Sequence, residues 1–424
     1  MWREVLIVVF SSFWVGLLEP IPEEKTSRVS YDGYMLLRTN LTSELLENLE
    51  KEYDVEIWKS RSGFDTTSDL LVAPFHANDV INQLNSSGAR IDVAISDLGK
   101  AIEEEHSFIE GDLEKLTVRK SHGMSWERYH RIKDIYGYMN YLAGYKSDIC
   151  EVINIGKSSE GRKILVLKVS SKKGARTKPG IWIDAGIHAR EWISPASVTY
   201  AMRELVENYE DHPELIQNFD WYFLPVVNPD GYEFTFSENR LWRKTRSKKS
   251  SIRCRGADPN RNFGYEWGGL GTSNEPCSEI YRGEKAFSEP ETAAMAKFIE
   301  DISSTLKVYL TFHSYGQYIL IPWGYRNNKR PEDYNEMKEL ADLMADAIKK
   351  EGGSKFTVGN SADLLYPAAG GSDDWAKSIG IPYSFTIELR DTGKHGFILP
   401  AKYIKTSGRE VFSALKAVSA HLTA

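Results

Sequence analysis

The chain has 424 residues, of which 41% are hydrophobic and 27% charged, and a formal net charge of −7. That length suits two domains rather than one, and the composition excludes a disordered, collagen-like or membrane-bundle protein. No basic patch with interleaved aromatics stands out, so nucleic acid is not an expected partner.

In chain order, residues 1–19 read as an export signal. Arg3 gives a short positive start, 5–18 an apolar stretch and Glu19-Pro20 a polar break. The stretch is shorter than the roughly 20 residues of a spanning helix. Next come a strand (33–38), a helix (42–52), two strands (53–58, 70–73), a helix (77–85) and a strand (90–94). This βαββαβ order describes a small α+β, ferredoxin-like open sandwich. Residues 95–115 look helical and acidic and lead to Arg119-Lys120, a dibasic pair in a polar stretch between domains, where proteases cut. Residues 1–120 hold 12 Lys and Arg against 22 Asp and Glu, whereas 121–424 hold 41 against 38. An acidic front on a slightly basic remainder suits electrostatic docking of one on the other, and equally a merely soluble surface.

From about residue 125 helices alternate with short apolar runs at 180–185, 221–227, 308–312 and 383–387, typical of strands buried on both faces. Amphipathic helices are expected at 194–210 and 335–350, giving an α/β domain over 121–424. No later segment is long and apolar enough to span a bilayer, so no membrane partner is expected. Cys254 and Cys277 are candidates to close a loop, leaving Cys150 as a buried filler. Those cysteines and the sequons Asn40-Leu-Thr and Asn85-Ser-Ser suit a secreted, extracellular protein.

Of the 9 histidines, only His188 begins a His-x-x-Glu, completed by Glu191 just after the run Gly-Ile-Trp-Ile-Asp-Ala. An imidazole and a carboxylate leaving a strand suit zinc, which needs a third ligand and an open position. His313 supplies one at the end of a second run, and open α/β sheets place sites at carboxyl ends of strands. A His-x-x-Glu alone more often marks a structural histidine, and the pairing with His313 at a second strand end evens the two readings. Arg190, Arg243 and Arg261 lie near these positions in the pattern; arginine forks a carboxylate or polarises a carbonyl, and also makes ordinary surface ion pairs. Glu388 closes the run Ser-Phe-Thr-Ile-Glu, where a carboxylate is costly unless paired or functional.

The stretches 186–193 (Gly-Ile-His-Ala-Arg-Glu-Trp-Ile), 225–232 (Pro-Val-Val-Asn-Pro-Asp-Gly-Tyr), 239–244 (Asn-Arg-Leu-Trp-Arg-Lys) and 258–263 (Asp-Pro-Asn-Arg-Asn-Phe) follow in order. After them come His-Ser-Tyr (313–315), Gly-Gly-Ser-Asp-Asp-Trp (370–375) and Thr-Ile-Glu-Leu-Arg-Asp-Thr-Gly (386–393). Together they resemble the digestive-type zinc metallocarboxypeptidases of the A/B group, across essentially all of 121–424. The front sandwich looks like that family's inhibitory prosegment. The resemblance implies a mixed eight-stranded sheet with helices on both faces. It also implies a monomeric proform whose segment 20–120 inhibits the enzyme until a trypsin-like protease cuts it away, and a substrate that is a peptide or protein C-terminus.

It further implies one zinc ion on His188, Glu191 and His313, with Asp258 orienting His188. Glu388 would be the general base, and Arg243 would steady the oxyanion. Asn260, Arg261 and Tyr366 would grip the terminal carboxylate, with Arg190 on its approach and Ser314 and Tyr315 also lining the substrate site. Asp373, two residues before Trp375, would form the base of the specificity pocket, where an acid marks the B type that takes Lys and Arg. Leu320, Gly324, Ser361, Ala368 and Thr386 would form its walls. Ser361 departs from the glycine of many B-type enzymes. Two alternatives accompany this reading: an A-type or broad specificity, and a non-catalytic, zinc-stabilised binding protein.

Overall fold

The structure, a computed structural model, describes residues 28–424 apart from 54, 61–65, 111–122, 173–176 and 249–253. The expected export signal and the Arg119-Lys120 cut lie outside the described residues. The front domain has strands β1 (Met35–Thr39), β2 (Val55–Lys59), β3 (Ser68–Val72) and β4 (Ile91–Ile95), ordered β2-β3-β1-β4 and antiparallel throughout. Thr42 caps the first helix, Ser43–Glu52, and the second spans Ala77–Ser86. Alternation along each strand sends neighbours to opposite faces. Leu37, Leu70 and Val72 pack under these helices, while Leu36 and Leu71 face the other domain. The acidic helix is Leu98–Glu110, beginning three residues later than expected because Ile95 completes β4. Asn40 and Asn85 are both exposed.

The second domain is built on an eight-stranded mixed sheet. Its strands are β5 (Cys150–Lys157), β6 (Lys163–Val169), β7 (Gly180–Ala185), β8 (Asp220–Leu224), β9 (Leu306–Ser314), β10 (Tyr318–Ile321), β11 (Thr357–Asn360) and β12 (Tyr383–Leu389). Their order is β11-β10-β12-β9-β7-β8-β6-β5. The four expected apolar runs are the central neighbours β12, β9, β7 and β8, which pair in parallel. The run expected at 221–227 ends as a strand at Leu224, because Pro225 has no N–H for the ladder. Ile181 and Ile183 face one apolar layer and Trp182 the other. The first layer includes Ile193–Val206, Tyr334–Gly352 and Ile404–Thr423; the second includes Pro290–Ile302 and Ser372–Ser378. Cys254 and Cys277 form a disulfide, and Cys150 is buried and free.

The domains meet over Leu36, Trp58, Leu71, Leu98 and Ile102 on one side and Leu241, Tyr315, Phe397 and Ile398 on the other. A buried ion pair and a buried hydrogen bond to a carboxylate cross the same surface. Arg240 donates to both oxygens of Glu105 at 2.6 and 3.1 Å, and to the carbonyls of Arg190 and Phe397. Asp69, held by Arg38 at 2.7 and 2.9 Å, accepts from the Tyr315 hydroxyl at 2.8 Å. Docking thus combines apolar contact with specific pairs between front-domain acids and arginines of the second domain.

In the first turn of Pro290–Ile302, Glu291 is fully buried, and one of its oxygens accepts from Ser159 N at 2.9 Å. Burial pushes its carboxyl up to about 7, above its value in the unfolded chain. Folding therefore favours the protonated form, so stability present below the ordinary carboxylate range is lost as pH rises through about 7. Glu291→Gln should match the parent protein below pH 4.5 and become the more stable of the two between pH 5 and 8, the gap approaching roughly 3 kcal/mol. Unfolding in denaturant across that range measures it; parallel curves would show that Glu291 does not titrate as described.

Candidate active site

Three strands deliver the chemistry because they end together. β7 ends at Ala185, and Gly186, at φ +63°, turns the chain away from the sheet. A Cβ at Gly186 would lie 3.0 Å from Pro195 and 3.4 Å from the Val226 backbone, so this tight turn needs glycine. His188 and Glu191 follow within the turn, before the helix Ile193–Val206. His313 is near the end of β9 and Glu388 near the end of β12, directly paired across the two strands. Asn228 stitches the neighbouring loops together, donating to Lys244 O at 2.9 Å and accepting from Gly231 N.

His188 Nδ1 lies 2.8 Å from Glu191 Oε1 and 3.2 Å from His313 Nδ1; His313 Nδ1 is 3.1 Å from Glu191 Oε2. Among the described residues this is the one group of three such side chains able to share a metal ion, and all three are buried. Burial works against the charge on Glu191, but His188 and His313 outweigh it and draw its carboxyl well below the usual range. Burial likewise disfavours an imidazolium at His313, yet Glu191 pushes the group up to about 9. The centre therefore attracts positive charge. Two imidazole nitrogens and one carboxylate at one point, leaving room for a fourth ligand, fit zinc.

The surrounding charges are held by hydrogen bonds. Asp258, fully buried, faces His188 Nε2 with Oδ1 at 3.1 Å and accepts from Arg243 Nη2 with Oδ2 at 2.8 Å. Burial alone would raise its carboxyl; Arg243 and His188 overcome this and hold it well below the usual range. Arg243 Nη1 is 3.9 Å from Glu191 Oε1, at the metal point. Arg261 is fixed by Gly271 O and Asn260 O, both at 2.8 Å, and the Asn260 side chain accepts from Ser372 N at 2.9 Å. Enclosure pushes Glu388 up to about 8.

Apart from Asp258, which is buried behind His188, every site residue expected from the sequence lines one cavity of about 750 Å³. His188, Glu191, Arg243, His313 and Glu388 share it with Arg190, Asn260, Arg261, Ser314, Tyr315, Ser361, Tyr366 and Asp373. Tyr366 is 45% exposed, in contrast to the buried ligands. Asp373 is buried, and burial raises its carboxyl despite backbone N–H groups and the Thr386 hydroxyl that favour its charge. A Cβ on Gly324 would stand 3.2 Å from the Ser361 hydroxyl, so these two positions face each other closely across the pocket.

The front domain supplies part of the cavity wall. Glu56 pairs with Arg190, and Trp58 lies with its ring centre 4.9 Å from that of Phe397. Sequence reasoning did not single out Glu56, Trp58, Asp69, Glu105, Arg240 or Phe397. Only Arg240 had a local signal, two residues before the Trp-Arg of a quoted stretch.

A zinc carboxypeptidase family model matches residues 135–414, and a carboxypeptidase activation peptide model matches 35–105. Carboxypeptidase B of Astacus astacus is 44% identical over 298 residues, covering 70% of this chain and 97% of that protein. Carboxypeptidase A4 of Mus musculus is 39% identical over 371 residues, 87% of each chain. The crystal structure of thrombin activatable fibrinolysis inhibitor (TAFI) superposes with a TM-score of 0.83 at 34% identity, covering 92% of this chain and 98% of that one.

Proposed function

The chain belongs to the zinc carboxypeptidase family and is a metallocarboxypeptidase made as a proform of the A/B group, and on that premise we propose that the mature enzyme removes C-terminal Lys and Arg. The observation that carries the basic preference is Asp373. A-type and B-type relatives are both similar to the chain, so overall identity does not choose between them. A carboxylate that burial destabilises gains from an incoming ammonium or guanidinium, and loses if an apolar side chain seals it in unpaired. The polar neighbours Thr386 and Ser361 suit a basic guest as well.

In this proposal His188, Glu191 and His313 hold zinc, which supplies the Lewis acidity that acidifies water and polarises a carbonyl. Glu388 takes the proton from the attacking water and passes it to the leaving amine; a raised carboxyl value suits that task near neutral pH. Arg243, held by Asp258 beside the centre, stabilises the oxygen on which negative charge develops. Asn260, Arg261 and Tyr366 grip the terminal carboxylate, with Arg190 on its approach and Ser314 and Tyr315 alongside. An internal peptide bond has no such anion, so the arginines restrict cleavage to chain ends.

Glu388→Gln should keep zinc and lower kcat by about 10²–10⁴-fold; hydrolysis at the parent rate with zinc bound would remove Glu388 as the base. Among peptides differing only in a final Lys, Arg or Phe, the basic ends should give the higher kcat/KM. Asp373→Ile should cost them roughly 10²–10³-fold, about 3–4 kcal/mol for a broken buried pair. Faster release of Phe by the parent enzyme would assign the A type instead.

We also propose that residues 1–19 direct export and that segment 20–120 is the inhibitory prosegment, released by a trypsin-like cut at Arg119-Lys120. The disulfide agrees with an oxidising compartment, and Glu56 on Arg190 places a carboxylate within the cavity. N-terminal sequencing of the trypsin-activated enzyme should start at Ser121 or within a few residues; a start inside 135–414 would refute the boundary.

A further inference from the structure

Both histidines of the centre turn Nδ1 inward, and each turns Nε2 back into the protein. For His188 the outward nitrogen meets a carboxylate directly, Asp258 Oδ1 at 3.1 Å. For His313 it meets the Thr311 hydroxyl at 3.3 Å, which in turn donates to Asp184 Oδ1 at 2.7 Å. The other oxygen of Asp184 accepts from Trp182 Nε1 at 2.8 Å. Strand geometry builds this line. Thr311 and His313 are two apart on β9 and share a face, and Asp184 on β7 is the direct cross-strand partner of Thr311. Asp184, Thr311 and Trp182 are fully buried, so water does not compete for these bonds.

A hydroxyl has one hydrogen. Donated to Asp184, it leaves only lone pairs toward His313, so Nε2 must carry a hydrogen, and in the neutral ring that binds a metal Nδ1 is the lone-pair nitrogen facing Glu191 and His188. We propose that Thr311 and Asp184 are positioning residues that fix the ring orientation and tautomer of His313 for zinc, as Asp258 does for His188 with one hydroxyl fewer. The proposal rests on the reading of His313 as a ligand. It assigns a role to a buried carboxylate that neither touches the metal point nor lines the cavity.

The test measures zinc affinity of the full-length proform by competition with a chelator. Thr311→Val keeps the shape and loses the hydroxyl, and should bind zinc about 10–100-fold more weakly. Thr311→Ser keeps the hydroxyl and should stay close to the parent. A role in packing alone would reverse that order, since serine leaves the larger gap. Thr311→Ala shares serine's missing methyl and should fall 10–100-fold below Thr311→Ser, which isolates the hydroxyl even if valine perturbs folding. Parent-like affinity in Thr311→Val, or serine no better than alanine, overturns the relay. His313→Ala separates the two readings: if it holds zinc like the parent, the ligand assignment falls and the relay with it. If it loses zinc while Thr311→Val does not, the relay alone falls.

Discussion

The site depends on the register of three parallel strands. β7, β9 and β12 are neighbours, and their pairing sets Ala185 beside Phe312 and His313 beside Glu388 at one edge of the sheet. Side chains alternate between faces, so a slip of one residue would carry His313 and Glu388 into the opposite apolar layer. The polar groups therefore help to enforce the register that positions them. Asp184, deep in the sheet, finds its hydroxyl partner only when β7 and β9 are aligned as observed.

Around this edge, charge is arranged so that each buried ion has a partner. Asp258 joins His188 to Arg243 and lies 3.9 Å from Arg261, linking the metal centre to the arginines through one carboxylate. Glu191 faces both histidines. Asp373 and Glu388 differ: burial raises both carboxyls, leaving two acids that would gain from charge brought in by a ligand.

Much of this is legible in the sequence. The two-faced apolar strands of the front domain and the central runs of the sheet carry strong periodic signals, and each expected element falls within a few residues of its position. The edge strand β5, partly exposed along its length, and the four-residue strands β10 and β11 carry weak ones. β6 is different: Ile164–Leu167 is as apolar as β7 and equally readable, but was not picked out. His188 and Glu191 stand out as the one His-x-x-Glu of the sequence, His313 as an imidazole closing a second apolar run, and Glu388 because a carboxylate in such a run is costly without a purpose. The partners across the domain interface had no such mark. Glu56, Asp69 and Glu105 look like any acids on a soluble surface, and gain meaning only from docking over Arg190, Tyr315 and Arg240.

The front domain's sheet covers its own helices with one face and the enzyme with the other. A cut in the connecting chain would leave those non-covalent contacts in place, so cleavage and exposure of the cavity would be separate events. Without the front domain, Tyr315, Phe397 and Leu241 would lose the apolar surface that shields them. The same apolar patch would then border the site directly, because Tyr315 and Phe397 also line the cavity.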